Sequence, residues 1–215
     1  MIEKKLNQFD LSLYLVTDRG YIGKRDLKDV VEQAVAGGVT AVQLREKEIS
    51  TRKFIEQAWE IKNLLKNKNI PLIINDRVDV ALAIQADGVH LGQKDMPVKM
   101  ARKILGQNYL IGLSVENIEH VKEAETMDVD YLGLSPLFVT ETKPELKQEW
   151  GMKGLKKARK ISSHKIVSIG NINSSNAREV IAAGSNGIAV VSAICDSDNP
   201  AEAAAQLAQE IKKAR

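Results

Sequence analysis

Several things are scarce in this 215-residue chain, and each scarcity closes a door. There is one cysteine, Cys195, so no internal disulfide can form, and no Cys/His spacing suggests zinc. The thiol reads best as a small buried apolar residue near a strand end. No apolar run approaches the ~20 residues that cross a bilayer. The opening residues Met1-Ile2-Glu3-Lys4-Lys5-Leu6 carry no apolar leader core, so the expected location is the cytoplasm, with no membrane partner. One-signed charge is scarce too: 31 basic and 28 acidic residues leave a net charge of +3. Lys62, Lys66 and Lys68 fall on outer helix faces, a solvated surface rather than a nucleic-acid stripe. A homo-oligomer is compatible with all of this.

What is present fits an ordinary globular core, with 44% hydrophobic and 27% charged residues. Short β-branched or apolar runs alternate with segments of helical period, about every 27 residues when the chain is divided into eight. The runs at 12–17, 39–45, 71–75, 87–91, 109–114, 130–135, 165–170 and 186–191 read as strands. Helices are expected at 26–37, 50–67, 77–85, 97–105, 117–126, 152–161, 174–184 and 200–214. Gly37-Gly38, Gly106 and Gly184 stand at helix ends, and Pro97 stands at a first turn. Ser50 and Asn173-Ser174-Ser175 supply N-cap side chains. Parallel strands need helical crossovers, and eight such units suit a (β/α)₈ TIM barrel in a single α/β domain over residues 1–215. An open doubly wound sheet is the alternative. Against it, Thr17-Asp18-Arg19-Gly20 stands where such sheets usually carry Gly-x-Gly-x-x-Gly.

A barrel places its chemistry at the C-terminal strand ends. There the chain offers Asp18, Arg45 and Lys47, Asn75 and Asp76, Gln93 and Asp95, Ser114, Thr140 to Lys143, Gly170-Asn171, and Ser192. The opposite ends offer Gly38, Gly88 and Gly187, with few groups capable of chemistry. Ile73-Ile74-Asn75-Asp76 and Val89-His90-Leu91-Gly92-Gln93-Lys94-Asp95 put two carboxylates at neighbouring strand ends. That is a donor set for Mg²⁺, which takes one or two carboxylates and completes its shell with substrate phosphate oxygens. The bland alternative is that each aspartate caps the following helix.

Arg45 and Lys47 would cradle a diphosphate beside this metal, with Gln43 and Arg45 on one side of the strand and Leu44 on the other. His90 reads as a core histidine rather than a catalytic one. The long segment from Phe138 to Gly151, with its hydroxyls, Lys143 and an exposed Trp150, reads as an active-site lid. Gly170-Asn171 and Val191-Ser192 lie where barrels often bind phosphate through backbone N–H groups. The layout calls for one substrate with a diphosphate and another with a monophosphate.

Taken together, Gln43-Leu44-Arg45-Glu46-Lys47, Ile74-Asn75-Asp76, His90-Leu91-Gly92-Gln93 with Asp95, Ile111-Gly112-Leu113-Ser114, Pro136-Leu137-Phe138 with Thr140-Glu141-Thr142-Lys143, and Gly187 through Ile194 resemble the thiamin phosphate synthase family. The resemblance implies a Mg²⁺-dependent transferase that joins hydroxymethylpyrimidine diphosphate to thiazole phosphate, or its carboxylated form, and releases diphosphate. It implies that Gln43, Arg45, Lys47, Asn75, Ser114 and Lys143 contact the pyrimidine diphosphate, that Asp76 and Asp95 hold Mg²⁺, and that Thr140, Thr142, Gly170, Val191 and Ser192 form the thiazole phosphate side. Arg45, Lys47, Lys143 and Ser114 would carry catalysis. The chain departs from the family pattern at Asn171, where a second glycine is usual, at Ser135, and at Val115-Glu116. A thiazole tautomerase of the same barrel type and a non-catalytic phosphate-sensing barrel are the other readings.

Overall fold

In a computed structural model, which describes residues 10–139 and 149–215, the periodic segments form the expected elements with ends that coincide or differ by up to three residues. The strands are β1 (Leu13–Val16), β2 (Ala41–Leu44), β3 (Leu72–Asn75), β4 (Gly88–Leu91), β5 (Leu110–Val115), β6 (Tyr131–Leu134), β7 (Lys165–Ile169) and β8 (Gly187–Val190). Each pairs in parallel with the next, and β8 returns to β1, so the sheet is a closed barrel. The helices are α1 (Arg19–Ile22), α2 (Leu27–Ala36), α3 (Thr51–Leu65), α4 (Val78–Ala83), α5 (Val98–Leu105), α6 (Ile118–Ala124), α7 (Gly151–Ile161), α8 (Ala177–Ala182), α9 (Ser192–Cys195) and α10 (Pro200–Lys213). No helix among the described residues is long and apolar enough to cross a membrane.

Strand alternation divides the apolar residues into two cores. Outward-facing Leu13, Leu15, Val42, Leu44, Leu72 and Ile74 pack with the helices. A smaller interior cluster brings together Tyr14, Ala41, Ile73, Leu110, Tyr131 and Val167. Small and large residues fit together inside. A Cβ on Gly88 would stand 2.3 Å from the Leu110 carbonyl oxygen, so that position admits no side chain without moving the neighbouring strand.

The N-terminal face carries a device that the sequence reading passed over. Thr40, Asp87, Asp130 and Asn186 each precede an even-numbered strand. Their side chains accept from the backbone N–H of Leu13 (3.0 Å), Leu72 (3.0 Å), Ile111 (2.8 Å) and Ile166 (2.8 Å). Each residue's own N–H donates back to the carbonyl of that same partner, at 2.8–3.0 Å. Four reciprocal clasps thus satisfy backbone groups at the strand starts. Arg102 on α5 reinforces one of them by donating to Asp130 Oδ2 at 2.7 Å, with both side chains 8% exposed.

Local corrections follow from the caps. Ser50 caps α3 as expected, accepting from Lys53 N–H. Asn173-Ser174-Ser175 instead forms its own turn, in which Asn173 Oδ1 accepts from Ser175, and α8 starts only after Asn176. Pro97 sits at the cap of α5 rather than in its first turn. The short helices α1 and α9 were not anticipated, because four residues leave no readable period. Trp150 is not exposed: its ring is half-buried against the core, and its indole N–H donates to the Val115 carbonyl at 3.2 Å.

Candidate active site

The C-terminal mouths of the strands open into one cavity, and Gln43, Arg45, Lys47, Asn75, Asp76, Asp95, Ser114, Gly170, Val191 and Ser192 all line it. The barrel therefore gathers ten of the expected site residues, drawn from strands two to five, seven and eight. Thr140, Thr142 and Lys143, with the rest of the expected lid between them and Gln148, lie outside the described residues. The residues flanking that stretch are joined to each other, since Val139 N–H donates to Glu149 at 2.9 Å. They are also tied to the mouth, since Leu137 N–H donates to the Ile169 carbonyl at 2.7 Å.

On one side lie the carboxylates and cations. Neither aspartate caps a helix: α4 and α5 begin at Arg77 and Pro97 without a side-chain capping bond. Asp76 has φ 60°, in the left-handed region that aspartate tolerates better than most residues. Its N–H is held by the His90 carbonyl at 2.9 Å. Asp95 folds back so that Oδ2 accepts from Gly92 N–H at 2.8 Å.

The two carboxyls interact directly and in opposite senses. Burial raises Asp95, and the neighbouring Asp76 raises it further. Burial works the same way on Asp76, but the hydrogen bond from Lys47, 2.9 Å away, and the contact with Asp95 outweigh it and hold that carboxyl below its usual range. Two acidic groups crowded so closely favour a shared proton or a shared cation. No further His, Cys, Asp or Glu joins them into a larger cluster among the described residues. Two carboxylates and open space suit a hard cation that takes its remaining oxygens from a ligand.

Arg45 is aimed by its neighbours. Its N–H donates to Thr17 Oγ1 at 3.0 Å and its guanidinium pairs with Asp18. Asp18 also caps α1 by accepting from Gly20 N–H. Beside it, burial raises the Glu46 carboxyl, and Arg19, at 3.0 Å, offsets part of that. The run at the end of β2 is thus sorted: Glu46 turns to Arg19, whereas Arg45 and Lys47 face the cavity.

The opposite wall centres on Gly170. It has φ 119°, and an added Cβ would stand 2.9 Å from Leu137 N and 3.0 Å from Pro136 Cα. Glycine is required here by backbone conformation and by the close approach of the β6 loop, not by a phosphate alone. Asn171 follows at φ 47°, so the residue standing in for a second glycine is the one best suited to left-handed backbone. Val191 and Ser192 lead into α9 on the same wall.

The cavity floor holds what residue spacing missed. Tyr14 and Tyr131, fully buried, meet hydroxyl to hydroxyl at 2.9 Å. Gln43 Nε2 donates to Tyr14 at 3.1 Å. His90 takes Tyr131 through Nδ1 at 3.1 Å and Ser114 through Nε2 at 2.9 Å. The histidine is a partnered one, as read, but it lines the cavity instead of the closed core. Burial pushes both phenols well above their ordinary pKa, so they stay neutral. Room for these rings comes from glycine: a Cβ on Gly112 would lie 2.2 Å from Tyr131 Cζ, and one on Gly133 would lie 2.8 Å from His90 Cε1. Two glycines at inward positions of adjacent strands were the legible signal that a large side chain crosses there.

Comparison with known proteins gives a consistent picture. A sequence model described as thiamine monophosphate synthase matches residues 13–194. The chain is 53% identical over 201 residues to a thiamine-phosphate synthase of Albidiferax ferrireducens, covering 94% of this chain and 92% of that protein. It is 52% identical over 198 residues to one from Vibrio campbellii, covering 91% and 95%. The solved structure of a thiamine phosphate pyrophosphorylase from Pyrococcus furiosus superposes with a TM-score of 0.89 at 36% identity, over 97% of this chain and 98% of that one.

Proposed function

The chain belongs to the thiamine monophosphate synthase family, and from that membership we propose how its cavity carries out the synthesis of thiamine phosphate. The reaction transfers the pyrimidinylmethyl group of hydroxymethylpyrimidine diphosphate to the ring nitrogen of thiazole phosphate, or of its carboxylated form, and releases diphosphate. Residues 1–215 act as one catalytic domain, working in the cytoplasm on small molecules.

The observation that carries this reading is the division of a single cavity. Asp76, Asp95, Arg45 and Lys47 line one side, and Gly170, Val191 and Ser192 line the other. The first side suits a diphosphate and the second a monophosphate, so the reacting carbon and nitrogen meet between them. Mg²⁺ held by Asp76 and Asp95 would neutralise charge on the diphosphate oxygens. Arg45, fixed by Asp18, presents a planar fork to the same oxygens, and Lys47 turns from Asp76 to add a point charge. By family analogy Lys143 joins them, while Thr140 and Thr142 serve the thiazole side.

As the methylene C–O bond breaks, its electron pair leaves with the diphosphate, where Arg45, Lys47 and Lys143 stabilise it. The electron-rich aminopyrimidine carries the resulting positive charge, supported by Gln43, Asn75 and Ser114 around the ring. The thiazole nitrogen, already placed, then donates its lone pair to the methylene carbon. No protein nucleophile is needed. The tautomerase and ligand-sensing readings are not favoured, because the named relatives are thiamine-phosphate synthases and Gln43, Lys47 and Asp95 have no task in an enzyme that handles thiazole alone. Turnover of both phosphorylated substrates by the purified protein, with and without Mg²⁺, tests the reading. Thiamine phosphate formed only with Mg²⁺ is expected, and binding of both substrates without product would overturn it.

A further inference from the structure

The hydrogen bonds of the cavity floor form one continuous chain: Gln43, Tyr14, Tyr131, His90, Ser114. Each link has only certain ways of sharing protons, so the direction of one restricts all the others. Gln43 Nε2 donates to Tyr14. The Tyr14 proton is then free for Tyr131, and the Tyr131 proton for His90 Nδ1. Donor and acceptor strengths agree, since a phenol O–H donates more readily than a neutral imidazole N–H, and an imidazole nitrogen accepts more readily than a phenol oxygen. With Nδ1 accepting, the ring proton sits on Nε2 and is donated to Ser114 Oγ.

The two ends of this chain face the ligand space. Gln43 Oε1 makes no hydrogen bond among the described residues. No buried side-chain nitrogen or oxygen there lacks a partner, so that oxygen opens onto the cavity. Ser114 Oγ accepts from His90 and keeps its own proton to give. We propose that Tyr14 and Tyr131 are positioning residues that make the cavity floor directional, so that Gln43 offers a carbonyl and Ser114 a hydroxyl proton to an aminated heteroaromatic ring. An amino group on such a ring donates to Gln43, and a ring nitrogen accepts from Ser114. A ring that turns a carbonyl toward Gln43 meets a like acceptor there, whereas the Ser114 hydroxyl can serve either kind of ring nitrogen, so the discrimination arises at Gln43. Gly112 and Gly133 belong to the device, because a side chain at either would displace the Tyr131 or His90 ring.

This inference rests on the proposed pyrimidine substrate for its ligand, but its central test needs none. The chain has three histidines, so nitrogen-15 NMR of histidine-labelled protein, assigned with His120→Gln and His164→Gln, reports the His90 tautomer directly. The wild type should carry the proton on Nε2. Tyr131→Phe removes the donor to Nδ1 and should yield a mixture of tautomers. Tyr14→Phe should leave the tautomer unchanged while releasing Gln43. Both variants should raise KM for the aminopyrimidine diphosphate about tenfold, leave KM for the thiazole phosphate unchanged, and lower kcat much less. Thermal unfolding of the two near-isosteric variants separates this from simple destabilisation. A wild-type ring protonated on Nδ1 or on both nitrogens would overturn the proposal, as would a Tyr131→Phe variant with unchanged tautomer and unchanged KM. Absence of turnover in the wild type would count against the proposed function alone, since the tautomers are read without substrate.

Discussion

Lys47 Nζ lies 2.9 Å from Asp76 Oδ2, joining the end of β2 to the end of β3 across the mouth of the barrel. The contact neutralises one carboxylate of a crowded pair and leaves Asp95, the other member, raised. A dication between the two aspartates would take over that task and free the lysine for a diphosphate.

Asp76→Asn and Asp95→Asn are each expected to cost most of the activity, at least the roughly 10–100-fold seen when even an outer support of a metal site is lost. The Mg²⁺ concentration for half-maximal rate should rise. Steady-state rates across a Mg²⁺ titration check this, and near wild-type turnover at limiting Mg²⁺ in either variant would remove the metal assignment.

The two sides of the cavity should respond separately. Ser192→Glu sets a carboxylate against the proposed monophosphate, so KM for thiazole phosphate should rise tenfold or more, equivalent to about 1.4 kcal/mol. KM for the pyrimidine diphosphate should barely change. An equal rise for both substrates would mean that they do not divide the cavity as argued.

At the opposite end of the barrel, Asp130 accepts from both Ile111 N–H and Arg102. Asp130→Ala would strip Ile111 N–H of its acceptor and the guanidinium of its nearer carboxylate, leaving Arg102 with Asp128 at 3.3 Å and with the Gly106 and Tyr109 carbonyls, at a cost of about 1–3 kcal/mol. Urea unfolding should show a lower midpoint with an unchanged slope, while the KM of each substrate stays the same. A loss below about 1 kcal/mol would show that the clasp is dispensable.

Cys195 is fully buried, and burial pushes its thiol up to about 12. At pH 8 its thiolate fraction is then on the order of 10⁻⁴, and only the thiolate is nucleophilic. Iodoacetamide should leave the native protein unlabelled over hours and modify it once urea unfolds it. Labelling of the native protein at the unfolded rate would contradict the burial.

How far the sequence carries the argument depends on the range of the forces involved. Strand and helix periods are local, and so are the breakers, which is why, among the described residues, all eight strands and eight of the ten helices are legible and only α1 and α9 are not. Parallel pairing with helical crossovers makes a closed barrel the natural solution, and the rule that chemistry gathers at strand C-termini then picks out Arg45, Lys47, Asn75, Asp76, Asp95 and Ser114. Folding alone decided who faces whom. Tyr14 and Tyr131 are separated by 117 residues, and no period or spacing links them; they meet because the barrel's register brings β1 and β6 into one interior. The same is true of the clasps at Thr40, Asp87, Asp130 and Asn186, whose partners lie 15 to 27 residues away, and of Gly170, whose need for glycine comes from the backbone of another loop. Residue identity sets what a group can do, but proton direction, carboxylate crowding and close backbone approach depend on distances of a few ångströms between segments remote in the chain, and only the closed barrel sets those.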